Sequence, residues 1–169
     1  MTVQLRRNAE ELARTDAVAV APATFRGGLA AGTPVLTARG LVAVENLRRG
    51  DRIVTRERGL AVLRAVTRHL SDTVVVRADS LGQGRPRRDT TLAADQHVTI
   101  RDWRAEALFD APCALVPVAR LADGRQIAAA GRADVWRLDF GSALTIQAGG
   151  LETPSGRTES HVVVPASHD

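Results

Sequence analysis

Gly28-Leu29-Ala30-Ala31-Gly32-Thr33-Pro34-Val35-Leu36-Thr37-Ala38-Arg39-Gly40-Leu41-Val42-Ala43-Val44-Glu45-Asn46-Leu47-Arg48-Arg49-Gly50-Asp51 is the stretch that decides the fold. Pro34 biases Thr33 away from the helical region, so the chain enters extended. Val35-Leu36-Thr37 is apolar and β-branched, which predicts a strand. Ala38-Arg39-Gly40 predicts a turn in which Gly40 takes a positive φ. Leu41-Val42-Ala43-Val44 continues as a second strand and closes a hairpin. Glu45 to Arg49 then predicts one helical turn, with Gly50 at its C-terminal cap.

Outward from this block the pattern stays that of strands. Arg52-Ile53-Val54-Thr55 alternates polar and apolar, as a half-buried strand does. Leu60 to Leu70 has mixed spacing, so helix and strand compete. Thr73-Val74-Val75-Val76-Arg77-Ala78 is the clearest strand in the chain. Leu81 to Asp89 is a glycine-rich loop that lacks the spacing and the lysine of a phosphate loop. Asp89 to Ile100 predicts a strand, a short break and a second strand around His97. Val135 to Phe140 and Ala143 to Ala148 predict two strands joined by a turn at Gly141-Ser142.

Gly32-Thr33-Pro34-Val35-Leu36-Thr37, then Gly40, then Val44-Glu45-Asn46-Leu47-Arg48-Arg49-Gly50-Asp51 resembles the opening of a Hint domain, the fold shared by hedgehog C-terminal domains and inteins. The segment from Asp89 to Ile100 resembles the family's second block, Thr/Ser-x-x-His between two strands. Trp103 to Phe109 and Leu115 to Leu121 resemble a bacterial subgroup of the family. The resemblance implies a mainly β, compact fold of many short, curved antiparallel strands. It also makes Leu60 to Leu70 a strand. The expected layout is a leader over residues 1–27, a Hint-like domain over 28–155 and a polar tail over 156–169, where Val162 to Val164 is an edge strand or disordered.

The family opens its first block with a cysteine, then three residues, then glycine-threonine. Counting back from Gly32-Thr33, that position holds Gly28. In the second block Ala94 stands where the threonine belongs, and His97 matches the histidine. The resemblance implies self-cleavage chemistry that these residues meet only in part. A thiolate at the first position attacks the carbonyl just before it and displaces its own backbone nitrogen, which must take up a proton. A histidine near neutral pKa can supply that proton, and the threonine orients the amide. Gly28 has no nucleophile, Ala94 cannot hydrogen-bond through its side chain, and only His97 remains as a candidate proton donor. Asp95, two residues before His97, is a candidate to tune it.

Composition narrows the alternatives. All 23 basic residues are arginine and the formal charge is +4. They are scattered, with one short cluster at Arg85-Pro86-Arg87-Arg88, which predicts a solvated loop rather than a nucleic-acid stripe. Aromatics are Phe25, Trp103, Phe109, Trp136 and Phe140, so Val, Leu, Ile and Ala must build the core. The lone Cys113 can form no intramolecular disulfide and, in an apolar setting, reads as a buried inert thiol. His69, His161 and His168 lack metal-ligand spacing. No cofactor and no metal are expected. No apolar run approaches the roughly 18 residues of a membrane span, and a cytoplasmic site is the default expectation.

Three functions follow as expectations. The first is a Hint scaffold that does not cleave itself and serves as an interaction module, with a protein partner conceivable. The second is slow autocleavage near Gly28 assisted by His97. The third is nucleic-acid binding through arginine. The intact block around a glycine further predicts that Gly28→Cys with Ala94→Thr restores thiol-dependent cleavage.

Overall fold

The computed structural model describes residues 27–155, with the backbone of Ala17–Val18 and Val162–Val163. In chain order the strands are β1 (Ala17–Val18), β2 (Leu29–Ala30), β3 (Pro34–Thr37), β4 (Gly40–Ala43), β5 (Arg52–Thr55), β6 (Gly59–Val62), β7 (Ala65–Val76), β8 (Thr90–Ala93), β9 (His97–Ile100), β10 (Ala114–Pro117), β11 (Ile127–Asp139), β12 (Leu144–Ala148), β13 (Leu151–Ser155) and β14 (Val162–Val163). Among the described residues there is one α-helix, α1 (Trp103–Phe109); it begins at Asp102, whose side chain accepts from the Arg104 N–H and so caps it. The expected mainly β architecture is the one observed, and the pairings between these strands are all antiparallel.

The first block folds as the hairpin its residues dictate. Val35 pairs with Val42 and Leu36 with Leu41, and Gly40 takes φ 98° in the connecting turn. The helical turn is shorter than expected. It is a 3-10 turn over Val44–Asn46, and Leu47 is already extended. Val44 and Leu47 both lie in the core. Residues three apart stack on one side of a 3-10 turn, so this tight form buries both. Gly50 therefore caps nothing. It takes φ 95° in the next turn, which the Asp51 N–H closes onto the Arg48 carbonyl at 3.0 Å.

Leu60 to Leu70 is strand, but in two pieces. The break falls at Leu63-Arg64, where the Leu63 N–H donates to Asp51 at 2.8 Å and the Arg64 N–H to Asp139 at 2.8 Å. There the chain leaves one sheet for the other. β6 belongs to a six-stranded sheet ordered β13-β12-β3-β5-β6, with β4 on β3, while β7 belongs to a closed barrel of β11, β2, β8 and β7. β7 and β11 pair along nearly their whole lengths, with a shift of register between Ala129 and Gly131. Gly131 takes φ 87° there, a conformation suited to an inserted residue that bends a long strand. β9 and β10 form a separate pair, and the backbone of β1 pairs with that of β14. The rest of the expected leader and tail lies outside the described residues.

The core is aliphatic, as the shortage of aromatics requires. Val35, Ile53, Leu63, Leu92, Ile127, Leu138 and Ile146 are almost wholly enclosed, and Phe140 joins them. Each such side chain contributes about 1.5–3 kcal/mol by leaving water.

One loop is held by a carboxylate. Asp123 accepts from the backbone N–H groups of Arg125, Gln126 and Ile127 at 2.9, 2.9 and 3.0 Å. Those N–H groups, Ile127 first and then Arg125, hold its carboxyl below the usual range. A carboxylate whose folded pKa is depressed stabilises fully above its unfolded pKa and loses that contribution as pH falls through the folded value. Asp123→Ala is therefore expected to lower stability at neutral pH, and the gap from the parent should narrow as acid is added below about pH 4. Urea titrations of both proteins across pH 2.5–7 check this; a gap that stays constant contradicts it.

Candidate functional site

The two blocks singled out in the sequence meet at Gly27-Gly28. The chain arrives at the barrel there, and three of its backbone groups are engaged. The Gly27 N–H donates to Asp95 Oδ1 at 3.1 Å. The Gly28 N–H donates to Gln96 Oε1 at 2.8 Å in a buried setting. The Gly28 carbonyl accepts from the Ala93 N–H at 3.0 Å. Leu29 then pairs with Leu92 on β8 and with Trp136 on β11. Downstream, Thr33 ties the turn through its hydroxyl to the Ala30 carbonyl at 2.8 Å. Glu45 receives the Gly32 N–H at 2.7 Å.

Gly28 itself is confined. Its φ is +134°, a region L residues rarely adopt, and a Cβ there would lie 2.7 Å from Val135 Cγ2 and 2.9 Å from Val135 Cβ. Val135 belongs to β11 and is fully buried. Glycine is thus the residue that this backbone and this neighbour allow at position 28.

Ala94 and His97 stand on either side of Asp95 and Gln96 in the sequence. Ala94 lies in the turn between β8 and β9, its N–H donating to the Asp72 carbonyl at 2.8 Å and its carbonyl accepting from Ala119 at 3.1 Å. Its methyl packs against the core. His97 is the first residue of β9, paired with Pro117, and is only 3% exposed. Asp95, the candidate to tune His97, lies in the turn before β9, and its carboxylate accepts from the Gly27 N–H.

The residue that sequence reasoning missed is Gln96. It is 4% exposed, and its Nε2 donates to the carbonyls of His97 and Pro154, both at 2.9 Å. Two carbonyls on one end and an N–H on the other fix which end is oxygen. Gln96 so joins three segments: the junction, β9 and β13. A glutamine beside a histidine motif carries no such signal, because its partners lie 68 and 58 residues away.

Cys113 was expected to be a buried inert thiol. It is only half-buried, and Arg101 stands beside it, held above its ordinary range chiefly by its hydrogen bond to Glu152. His69 lies on β7 as the register partner of Val135. Among the described residues no group of His, Cys, Asp and Glu is arranged to hold a metal ion. Among them, too, no helix is long and apolar enough to cross a membrane.

The nitrogen that an acyl shift must protonate faces an amide oxygen, which can accept a proton in a hydrogen bond but has none to give. The first position supplies neither thiol nor hydroxyl.

Comparisons with known proteins agree with this architecture. No curated protein matches the chain in sequence. Among solved structures, the chain is similar to a DnaB intein from Synechocystis, at 12% identity and a TM-score of 0.56 over 77% of this chain and 99% of that one. It is similar to the gp41-1 intein, at 12% identity and a TM-score of 0.54 over 75% and 97%. It is also similar to the MchDnaB-1 intein (N145AA), at 16% identity and a TM-score of 0.53 over 77% and 99%. At such identities the likeness is one of fold. A family model described as a Hint domain matches residues 28–158, most of the chain, and the chain belongs to the Hint domain family.

Proposed function

We propose that this Hint domain holds its junction without breaking it and serves as a binding module. The observation that carries this is the confinement of Gly28: no side chain to attack with, a φ of +134°, and Val135 where a Cβ would stand. Three further features support it. Gln96 accepts from the nitrogen that would have to leave. Ala94 replaces the hydroxyl that would orient the amide. The backbone on both sides of Gly28 is tied into the barrel.

In this reading His97 is structural, its carbonyl bonded to Gln96 and its backbone paired in β9. The fold shared with inteins is kept as a scaffold, and whatever it does for the cell it does by binding. Incubating the purified chain with dithiothreitol and measuring its intact mass tests this; one unbroken polypeptide is expected.

A further inference from the structure

We propose that the hollow between the β3–β4 hairpin and the Arg87-Arg88-Asp89 segment binds an aliphatic carboxylate, its chain on the leucines and its acid group on the two arginines. The cavity measures about 650 Å³, within the range of sites that enclose a small organic ligand. Its apolar wall comes from Leu36 and Leu41. These two are directly opposed across the hairpin, so their side chains stand on one face. Ala30 and Pro34 extend that wall. Leu41 is 61% exposed, an uncovered aliphatic surface at the mouth of a hollow. No aromatic residue lines the cavity, so a flexible chain suits it better than a flat ring, which gains most by stacking.

The opposite wall is cationic. Arg87 and Arg88 both line the cavity and enter no ion pair among the described residues. Asp89 sits beside them but is already committed, to Arg77 at 2.9 Å and to the Ala78 N–H at 3.0 Å. The segment is held in place as well. The Arg87 N–H donates to the Gly149 carbonyl at 3.1 Å, and the Thr90 hydroxyl donates to the Arg88 carbonyl at 2.8 Å. Each guanidinium, carried on this tethered backbone, is a planar fork that matches a carboxylate. Charge and apolarity thus face one another across one hollow, which selects an amphipathic anion.

This inference deepens the binding-module reading by naming a ligand class, yet its test reads binding and not chain integrity, so either can fail alone. The experiment is ¹H–¹⁵N NMR titration of the full chain with decanoate, decanol and decylamine. Decanoate is expected to give saturable shifts confined to β3, β4 and residues 87–91. Arg87→Ala with Arg88→Ala, at exposed positions, should weaken it by about tenfold or more, as loss of a charged hydrogen-bonded pair does. Leu41→Asp should weaken it too, and the spectra themselves report whether each variant is folded. Decanol and decylamine at equal concentration should shift these amides far less. No saturable shift with decanoate, shifts lying elsewhere, an equal response to decanol, or unchanged affinity in the double arginine variant would each overturn the proposal.

Discussion

Replacing Gly28 with cysteine is expected to destabilise the domain by about 2–6 kcal/mol, not simply to arm it. Two costs combine. A non-glycine residue held in a sparsely populated backbone region costs about 1–3 kcal/mol. Forcing extra atoms into a packed core costs about 1–3 kcal/mol more, and here the Cβ would stand 2.7 Å from Val135 Cγ2. Val135→Ala should relieve part of the second cost, by removing Cγ2, and leave the first; the residue-135 Cβ still stands 2.9 Å from the new one. In a double-mutant cycle the two changes should therefore couple favourably by about 1 kcal/mol or more, as residues in contact do. Thermal and urea denaturation of the four proteins measure this. A Gly28→Cys protein as stable as the parent would mean that the backbone relaxes freely, and that Gly28 is not confined. Thiol-dependent cleavage by the pair Gly28→Cys and Ala94→Thr is therefore expected to be greater with Val135→Ala than without it.

Gln96→Ala should cost about 3–9 kcal/mol. It strips partners from the Gly28 N–H and from the carbonyls of His97 and Pro154, and each buried group left unpaired costs about 1–3 kcal/mol. Gln96→Glu makes a finer test. Its carboxylate could still accept from Gly28, but would face two carbonyl oxygens in a buried site. Burial and those oxygens should hold its carboxyl protonated, raising its pKa above that of the unfolded chain. A group raised in the folded state stabilises below its unfolded pKa and loses that contribution as pH rises. The Gln96→Glu protein should therefore be closest to the parent in acid and fall away towards neutrality. Urea midpoints across pH check this; a pH-independent difference would mean that Gln96 does not donate to those carbonyls.

The strands were legible because their causes are local. β-branched residues with alternating burial mark β3, β5 and the end of β7, and Gly40 marks the hairpin turn. The Leu60 to Leu70 segment was not decided by periodicity, because the chain crosses between two sheets at Leu63-Arg64 and each half obeys a different face. The 3-10 turn at Val44 was missed for a similar reason: tertiary burial of Leu47, not propensity, ends it. At the candidate site, Gly28, Ala94 and His97 could be named from their place in two sequence blocks. Val135 and Gln96 could not. What they do depends on a strand that arrives from more than a hundred residues away and on hydrogen bonds 58 and 68 residues long, and no local pattern encodes either.

The central claim is that the Gly27-Gly28 peptide is held and not broken. Its most direct measurement is the intact mass of the purified full chain after prolonged incubation at neutral pH, with and without dithiothreitol and hydroxylamine. The unbroken polypeptide in every condition is the predicted result. A fragment beginning at Gly28, increasing with time or with either nucleophile, would contradict it.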